Sequence, residues 1–328
     1  MDNNIFSKTK SFLIDTGVTF EENVSLKKKT WIHRGGVVGL YVTPNDETQL
    51  LNVASYFYNN HIKFDVVGHT SNIYFLNEYN PDIVISTRLC NHYTIEGNLI
   101  SCECGVSVSK LARQCLEEGI CGFEYLTELP GTVAGSIYNN SSCKTNSIGQ
   151  LVESVKMLCP DASVRELTLS DLDYSFRTSA LKKGIIKGII LSAKLHVERT
   201  DDIVALKEKA SDFKKHRKEN LESSPYTLGC TFDTPFINGK LSFVYRVLYF
   251  AYMGLLSLLR VPKAKKQHLQ KIFFLKLTGY KELIPYISDK TMITYIWKDE
   301  NADAQFPNYV KFMNEVMKTD KMEIEIKQ

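Results

Sequence analysis

The spacing of hydrophobic positions changes several times along this chain, and each change marks an element. Residues 37–43, VVGLYVT, are apolar and β-prone, which predicts a strand. Pro44-Asn45-Asp46 makes a turn, and Asp46 is placed to cap a helix running through Gln49, Leu50, Val53 and Phe57. KFDVV (63–67) and DIVIST (82–87) predict further strands, so the first part mixes strands and a helix at βαβ spacing. Leu99 to Cys104 alternates as a strand and puts Cys102 and Cys104 on one face. The period turns helical over 107–119, with Ser107 or Ser109 as cap and Gly119 as stop. Strands near 151–158 and 186–197 follow, with DLDYSFRTSALKKG (171–184) reading as helical between them. Residues 199–222 predict a charged, solvated helix that joins domains, and strands are expected near 291–297 and 322–327.

Three stretches break these periods. GHTSN (68–72) follows a strand directly, and LPGTVAGSIYNN (129–140) is too small and polar for a core. Small residues let a ligand approach the backbone, and bare amides with Ser/Thr hydroxyls cradle phosphates. Two such loops suit a long, bent diphosphate ligand. Neither is a GxGxxG fingerprint or a Walker loop, and an ordinary tight turn is an equal alternative for each on its residues alone. The third stretch, Val247 to Leu259, carries no charge. It is shorter than the roughly 20 residues a spanning helix needs. Arg246 and Arg260 flank it, and the basic KAKKQHLQK (263–271) follows. A buried helix is one reading. The other is an interfacial helix touching an anionic membrane peripherally through 247–271.

Composition narrows the picture modestly. With 328 residues, 44% hydrophobic and 23% charged, the chain reads as soluble and globular with two or three domains. A net charge of +3 is too small to imply nucleic acid. The eight cysteines form no CxxC pair and lie mostly in apolar or alternating segments, which predicts packed free thiols in a reducing compartment. Two thiols at Cys102 and Cys104 make a poor metal site, so no metal is expected. The N-terminus, MDNNIFSKTK, lacks the apolar region of a secretory signal. Three single residues carry chemistry. Arg177 sits between Phe176 and Thr178, Cys230 between Gly229 and Thr231, and Glu325 in MEIEIK. Taken singly they also read as a surface arginine, a packed cysteine and an exposed glutamate.

The order of the motifs is more specific than any one of them. Gly35-Gly36, GHTSN, LPGTVAGSIYNN, Phe176-Arg177-Thr178-Ser179, GCTFDTP (229–235) and MEIEI, with a faint SDKTMITYI from Ser288, resemble the series found in the UDP-N-acetylenolpyruvoylglucosamine reductase family. The likeness is strongest over residues 27–235. It implies an α+β fold: a two-part FAD-binding module of the vanillyl-alcohol-oxidase (PCMH) type, over 1–88 and 89–200, and a smaller α+β substrate-binding domain over 201–328. It implies FAD and NADPH as cofactors, with Gly68, His69, Thr70, Ser71, Asn72, Pro130, Gly131, Thr132, Gly135, Ser136 and Asn140 around the FAD. The implied reaction passes hydride from NADPH through the flavin to the enolpyruvyl β-carbon of UDP-N-acetylglucosamine enolpyruvate. Arg177 and a protonated Glu325 would hold the resulting enolate, and Cys230, where the family has serine, would protonate the α-carbon. A thiol, with an ordinary pKa of about 8.5, is a stronger acid than a hydroxyl. The resemblance thus implies a cytoplasmic step of peptidoglycan precursor synthesis on a nucleotide-sugar substrate.

The sequence also departs from the family. His69 and Thr70 replace glycines, and their side chains would crowd the FAD diphosphate or hydrogen-bond to it. In the wider superfamily a histidine in this loop can be joined covalently to the flavin. Ser141-Ser142 replaces Ala-Gly, Phe176 replaces tyrosine, and Thr291 stands where the family has histidine. An insertion near 241–270 contains the whole apolar stretch and its basic tail, and falls in the substrate domain. The insertion motivates an alternative substrate, another nucleotide sugar or a glycan, handled at a membrane. The altered glycine loop motivates a catalytically silent binding homologue.

Overall fold

A computed structural model describes residues 3–233 and 243–328. The chain divides into two compact units, Met1–Thr30 with Gly35–Thr70 and Asn77–Lys214, and Trp31–Arg34 with Ser71–Leu76 and Lys215–Gln328. The contiguous boundaries expected from sequence do not show this interleaving, in which two short N-terminal segments belong with the C-terminal unit.

The first unit opens with α1 (Asn3–Asp15), β1 (Thr19–Ser25), β2 (Val37–Thr43), α2 (Glu47–Asn59) and β3 (Asp65–Val67). β4 (Ile73–Phe75) belongs to the second unit, and β5 (Ile83–Ser86) returns to the first. The order β1-β2-β5-β3 makes a four-stranded sheet, parallel except for β1 at its edge. Asp46 caps α2 as its sequence position requires, its Oδ1 accepting from the Gln49 amide at 2.7 Å. Leu50, Val53, Ala54 and Phe57 are fully buried on the inner side of α2.

The rest of this unit contains β6 (Tyr93–Glu96), β7 (Leu99–Glu103), α3 (Val108–Glu117), α4 (Val133–Asn139), β8 (Ser142–Cys143), β9 (Asn146–Ser147), β10 (Val152–Leu158), β11 (Val164–Thr168), α5 (Leu169–Leu172) and β12 (Ile189–His196). Five of these strands form an antiparallel sheet in the order β11-β10-β12-β7-β6. Ile100 and Cys102 face Leu195 and Ala193 across β7 and β12, so the strand alternation buries the thiol. α3 buries Val108, Leu111, Ala112, Cys115 and Leu116, the i, i+3, i+4, i+7, i+8 set of one face.

The helix expected over 171–184 is corrected. Only α5 is helical; Asp173 and Arg177 then take φ of +41° and +55°, and Ser175 pairs with Thr178 across a two-residue turn. Left-handed residues cannot propagate a right-handed helix.

α6 (Ile203–Asn220) carries the chain into the second unit, which continues with α7 (Phe243–Leu258), α8 (Lys263–Leu277), α9 (Asn301–Glu315) and β13 (Glu325–Lys327). Thr234 and Pro235 of GCTFDTP, and the first two residues of the 241–270 insertion, lie outside the described residues. The core here is aromatic: Tyr295 lies 4.9 Å from Trp297, 5.2 Å from Phe306 and 4.8 Å from Tyr309, between ring centroids. The strand expected at 291–297 is also corrected. Ile293, Tyr295 and Trp297 alternate into the core, but their backbone makes one isolated bridge, Ile287 to Tyr295, and otherwise serves loop partners. The N-terminal segments are tied in by specific bonds. Trp31 Nε1 donates to Thr227 O at 3.0 Å, Arg34 Nε lies 2.8 Å from Asp303 Oδ2, and Tyr74 OH donates to Asp303 Oδ1 at 2.9 Å. β4 pairs in parallel with β13, Ile73 opposite Glu325.

Candidate functional site

The two small-residue loops meet inside the first unit. Gly68 follows β3, and a Cβ built on it would lie 2.8 Å from Thr132 Oγ1 and 2.9 Å from Thr132 Cγ2. Glycine is therefore required by close approach of the loops. Arg88 holds the first loop from outside: its Nε donates to Gly68 O at 3.2 Å, and one Nη donates to Lys29 O at 2.7 Å and His69 O at 3.4 Å. Thr70 is buried, takes φ +59°, and donates its hydroxyl to His69 O at 2.7 Å. Burial, with the charges of Arg88 and Lys110, holds the His69 pKa below its ordinary value, so the neutral imidazole is favoured.

The second loop is held by its own side chains and by the backbone of 104–108. Gly131 takes φ +138°, a conformation open to glycine. Thr132 caps α4, its Oγ1 accepting from the Gly135 amide at 3.1 Å. The Val133 and Ala134 amides donate to Val106 O and Cys104 O at 2.8 and 3.1 Å. Pro130 and Gly135 are exposed while Ser136 is buried. Asn140 ends the helix at φ +44°; its Oδ1 accepts from the Gly149 amide at 3.2 Å and its Nδ2 donates to Ser175 O at 2.9 Å. Ser179 Oγ donates to Tyr138 O at 2.6 Å. The turn that carries Arg177 is thus fastened on both sides to the last turn of α4, and Phe176 at its tip is 66% exposed.

A cavity of about 660 Å³ opens beside this turn, lined in part by Asn140, Ser142, Asn146, Gln150, Tyr174 and Phe176. Ser142 Oγ and Tyr174 OH are buried there without a hydrogen-bond partner among the described residues, as are Ser86 Oγ beside the first loop and Tyr125 OH ahead of the second. Burial raises the phenol pKa of Tyr174 well above its ordinary value and keeps it a neutral donor. An unpaired buried polar group costs roughly 1–3 kcal/mol, so a ligand or water that supplies a partner is favoured. The close backbone of the two loops and the cations Arg88 and Lys110 beside His69 are chemistry that suits a diphosphate, and the unpartnered Ser142 and Tyr174 hydroxyls of the separate cavity suit a polar ligand.

The remaining expected residues lie in the second unit. The chain passes between units within GHTSN: Thr70 belongs to the first, Ser71 and Asn72 to the second. Asn72 O accepts from the Glu325 amide at 2.9 Å, and Asn72 Nδ2 donates to Glu323 O at 3.2 Å. Thr231 O accepts from the Glu323 amide at 2.9 Å, and Phe232 bridges Met322, so the Cys230 loop and the Glu325 strand run side by side. Cys230 is half-buried, follows Gly229 at φ +79°, and packs on the aromatic core near Tyr309. Arg88, Ser142 and Tyr174 were not singled out as site residues by sequence. Ser142 was detectable as a departure from Ala-Gly; Arg88 and Tyr174 carry no local signal.

Residues 38–168 match the model of an FAD binding domain. The UDP-N-acetylenolpyruvoylglucosamine reductase of Caldicellulosiruptor bescii is 32% identical over 226 residues, 68% of this chain and 71% of the relative. This chain belongs to the UDP-N-acetylenolpyruvoylglucosamine reductase family. The reductase of Halalkalibacterium halodurans is 29% identical over 65% of this chain and 70% of its own. The crystal structure of the reductase from Thermus caldophilus matches with a TM-score of 0.68 over 95% of this chain and 99% of that one, at 18% identity. That similarity supports the expected α+β fold, and the family gives a flavoprotein oxidoreductase with FAD as cofactor.

Proposed function

We propose that this chain reduces the enolpyruvyl group of UDP-N-acetylglucosamine enolpyruvate with NADPH as hydride donor, giving UDP-N-acetylmuramate for peptidoglycan. The observation that carries the reading is the meeting of the two family loops at Gly68 and Thr132. FAD held between these loops would supply hydride-transfer chemistry between NADPH and the enolpyruvyl β-carbon.

The protein's part is charge and proton management. In this reading Arg177, fixed at its turn by Asn140 and Ser179, faces the substrate carboxylate with a permanent positive charge. Glu325 in its protonated form donates a hydrogen bond to the same enolate. The Cys230 thiol gives its proton to the α-carbon and regains one from solvent. Gly68, His69, Thr70, Ser71 and Asn72 on one loop, and Pro130, Gly131, Thr132, Gly135, Ser136 and Asn140 on the other, hold FAD. The free cysteines, a nucleotide-sugar substrate and NADPH all suit a reducing cytoplasm.

Steady-state assay tests the proposal. NADPH oxidation should require the enolpyruvyl substrate and yield the lactyl ether two hydrogens heavier, and Cys230→Ala should lower turnover about 100-fold or more, in the range of a lost general acid. Substrate-independent NADPH oxidation, or an unchanged Cys230→Ala enzyme, would reject the reaction or the role of Cys230 respectively.

A further inference from the structure

The helical pair α7 and α8 is not used by the chemistry above, and it lies in a stretch of one-sided charge. From 234 to 281 the sequence has nine of the chain's 40 Lys and Arg and none of its 37 Asp and Glu. The remainder is therefore acidic, with 31 basic against 37 acidic residues.

The apolar surface of α7 is turned outward. Val247, Leu248, Phe250, Leu255 and Leu258 are 50, 43, 60, 51 and 80% exposed, and Ala251 and Gly254 between them are exposed too. At about 100° per residue these positions fill one continuous arc of somewhat less than half the helix. The opposite side is packed: Leu256 is buried, and Tyr252 stacks on Phe273 of α8 at 4.2 Å. Leu259 follows the helix, 64% exposed, and extends the patch.

The basic residues divide by role. Lys271 is buried and committed to Ile284 O, Ile287 O and Asp289. Lys266 reaches the Ser257 hydroxyl at the margin of the apolar arc. Arg260, Lys263 and Lys265 are exposed at the junction of the two helices. Asp289 is engaged by Lys271 and His268.

We propose that this surface docks on an anionic phospholipid bilayer, α7 lying in the interface with Arg260, Lys263 and Lys265 at the headgroups. A contiguous exposed apolar arc needs a cover, and the adjoining cations choose one of negative charge. A second copy of the chain would set this basic surface against itself. No helix among the described residues is long and apolar enough to cross a membrane, so the contact is peripheral. It stands independently of the reductase reading.

Flotation of the full chain with vesicles tests this. The chain should float with phosphatidylcholine–phosphatidylglycerol vesicles, bind pure phosphatidylcholine far more weakly, and lose binding as salt rises. Leu255→Glu with Leu258→Glu should abolish flotation. Lys263→Glu with Lys265→Glu, at exposed positions that leave the fold intact, should weaken binding about tenfold or more. Circular dichroism melts check folding of both. Absence of flotation with the anionic vesicles overturns the proposal. So does equal binding to both vesicle types, unchanged binding by the lysine variant, or a concentration-dependent dimer with no vesicle binding.

Discussion

The loops at 68–72 and 130–140 meet at Gly68 and Thr132 but differ in which side chains hold them. The second adds side chains of its own to backbone bonds with 104–108: Thr132 caps the helix that follows it, and Asn140 closes that helix while bonding Gly149 and Ser175. The first depends on Arg88, twenty positions away, and on a chain path that leaves one unit at Thr70 and enters the other at Ser71. The Arg88 support of the first loop thus comes from outside its motif, while caps of the second lie within its own.

Substitutions can break this contrast. Gly68→Val should have the largest effect: the side chain would overlap Thr132, part the loops and lower bound flavin per chain by about tenfold or more, the scale of one displaced contact set. A purified variant with full flavin absorbance would show that the loops need not touch. Arg88→Met frees three carbonyls from a charged donor and should cost about 2–3 kcal/mol in urea unfolding, with weaker FAD retention. Thr132→Val removes one cap and should cost only about 1 kcal/mol. Equal losses in those two would erase the distinction drawn here.

Smaller effects sharpen it. The lowered His69 pKa means the unfolded chain binds the proton more readily than the folded one. Stability from this group is present above the ordinary value of 6.5 and is lost as pH falls through the lower folded value. His69→Gln should therefore lose less stability than the parent between neutral and mildly acidic pH; parallel pH–stability curves would contradict this. Ser142→Ala should not destabilise the flavin-free chain and should raise its stability by up to about 1–3 kcal/mol, since its buried hydroxyl has no partner among the described residues, while ligand affinity falls. A large loss of apo stability would show that the hydroxyl is structural.

Much of the fold was legible because strong periods survive burial. α2 and α3 came from their apolar spacing and the cap position at Asp46, and β2 from a nearly unbroken apolar run. The misses have physical causes. β1 was invisible because it lies at a sheet edge with most side chains exposed. The run 291–297 alternates like a strand because it is buried on one side, but its backbone partners are loops. Residues 171–184 have helical composition, and the turn at Ser175–Thr178 is imposed by Asn140 from another element. The motif residues of the candidate site carry a sequence signal one by one; the contacts of Arg88 with the first loop and the buried Tyr174 hydroxyl carry none, because they exist only in the folded chain.

One anaerobic experiment addresses the central claim. The purified chain, loaded with FAD and reduced with NADPH, is mixed with UDP-N-acetylglucosamine enolpyruvate while the flavin spectrum is followed. Rapid return of the oxidised flavin spectrum, one substrate consumed per flavin, is the result predicted here. A chain that takes up no FAD, or whose reduced flavin persists unchanged after the substrate is added, would contradict it.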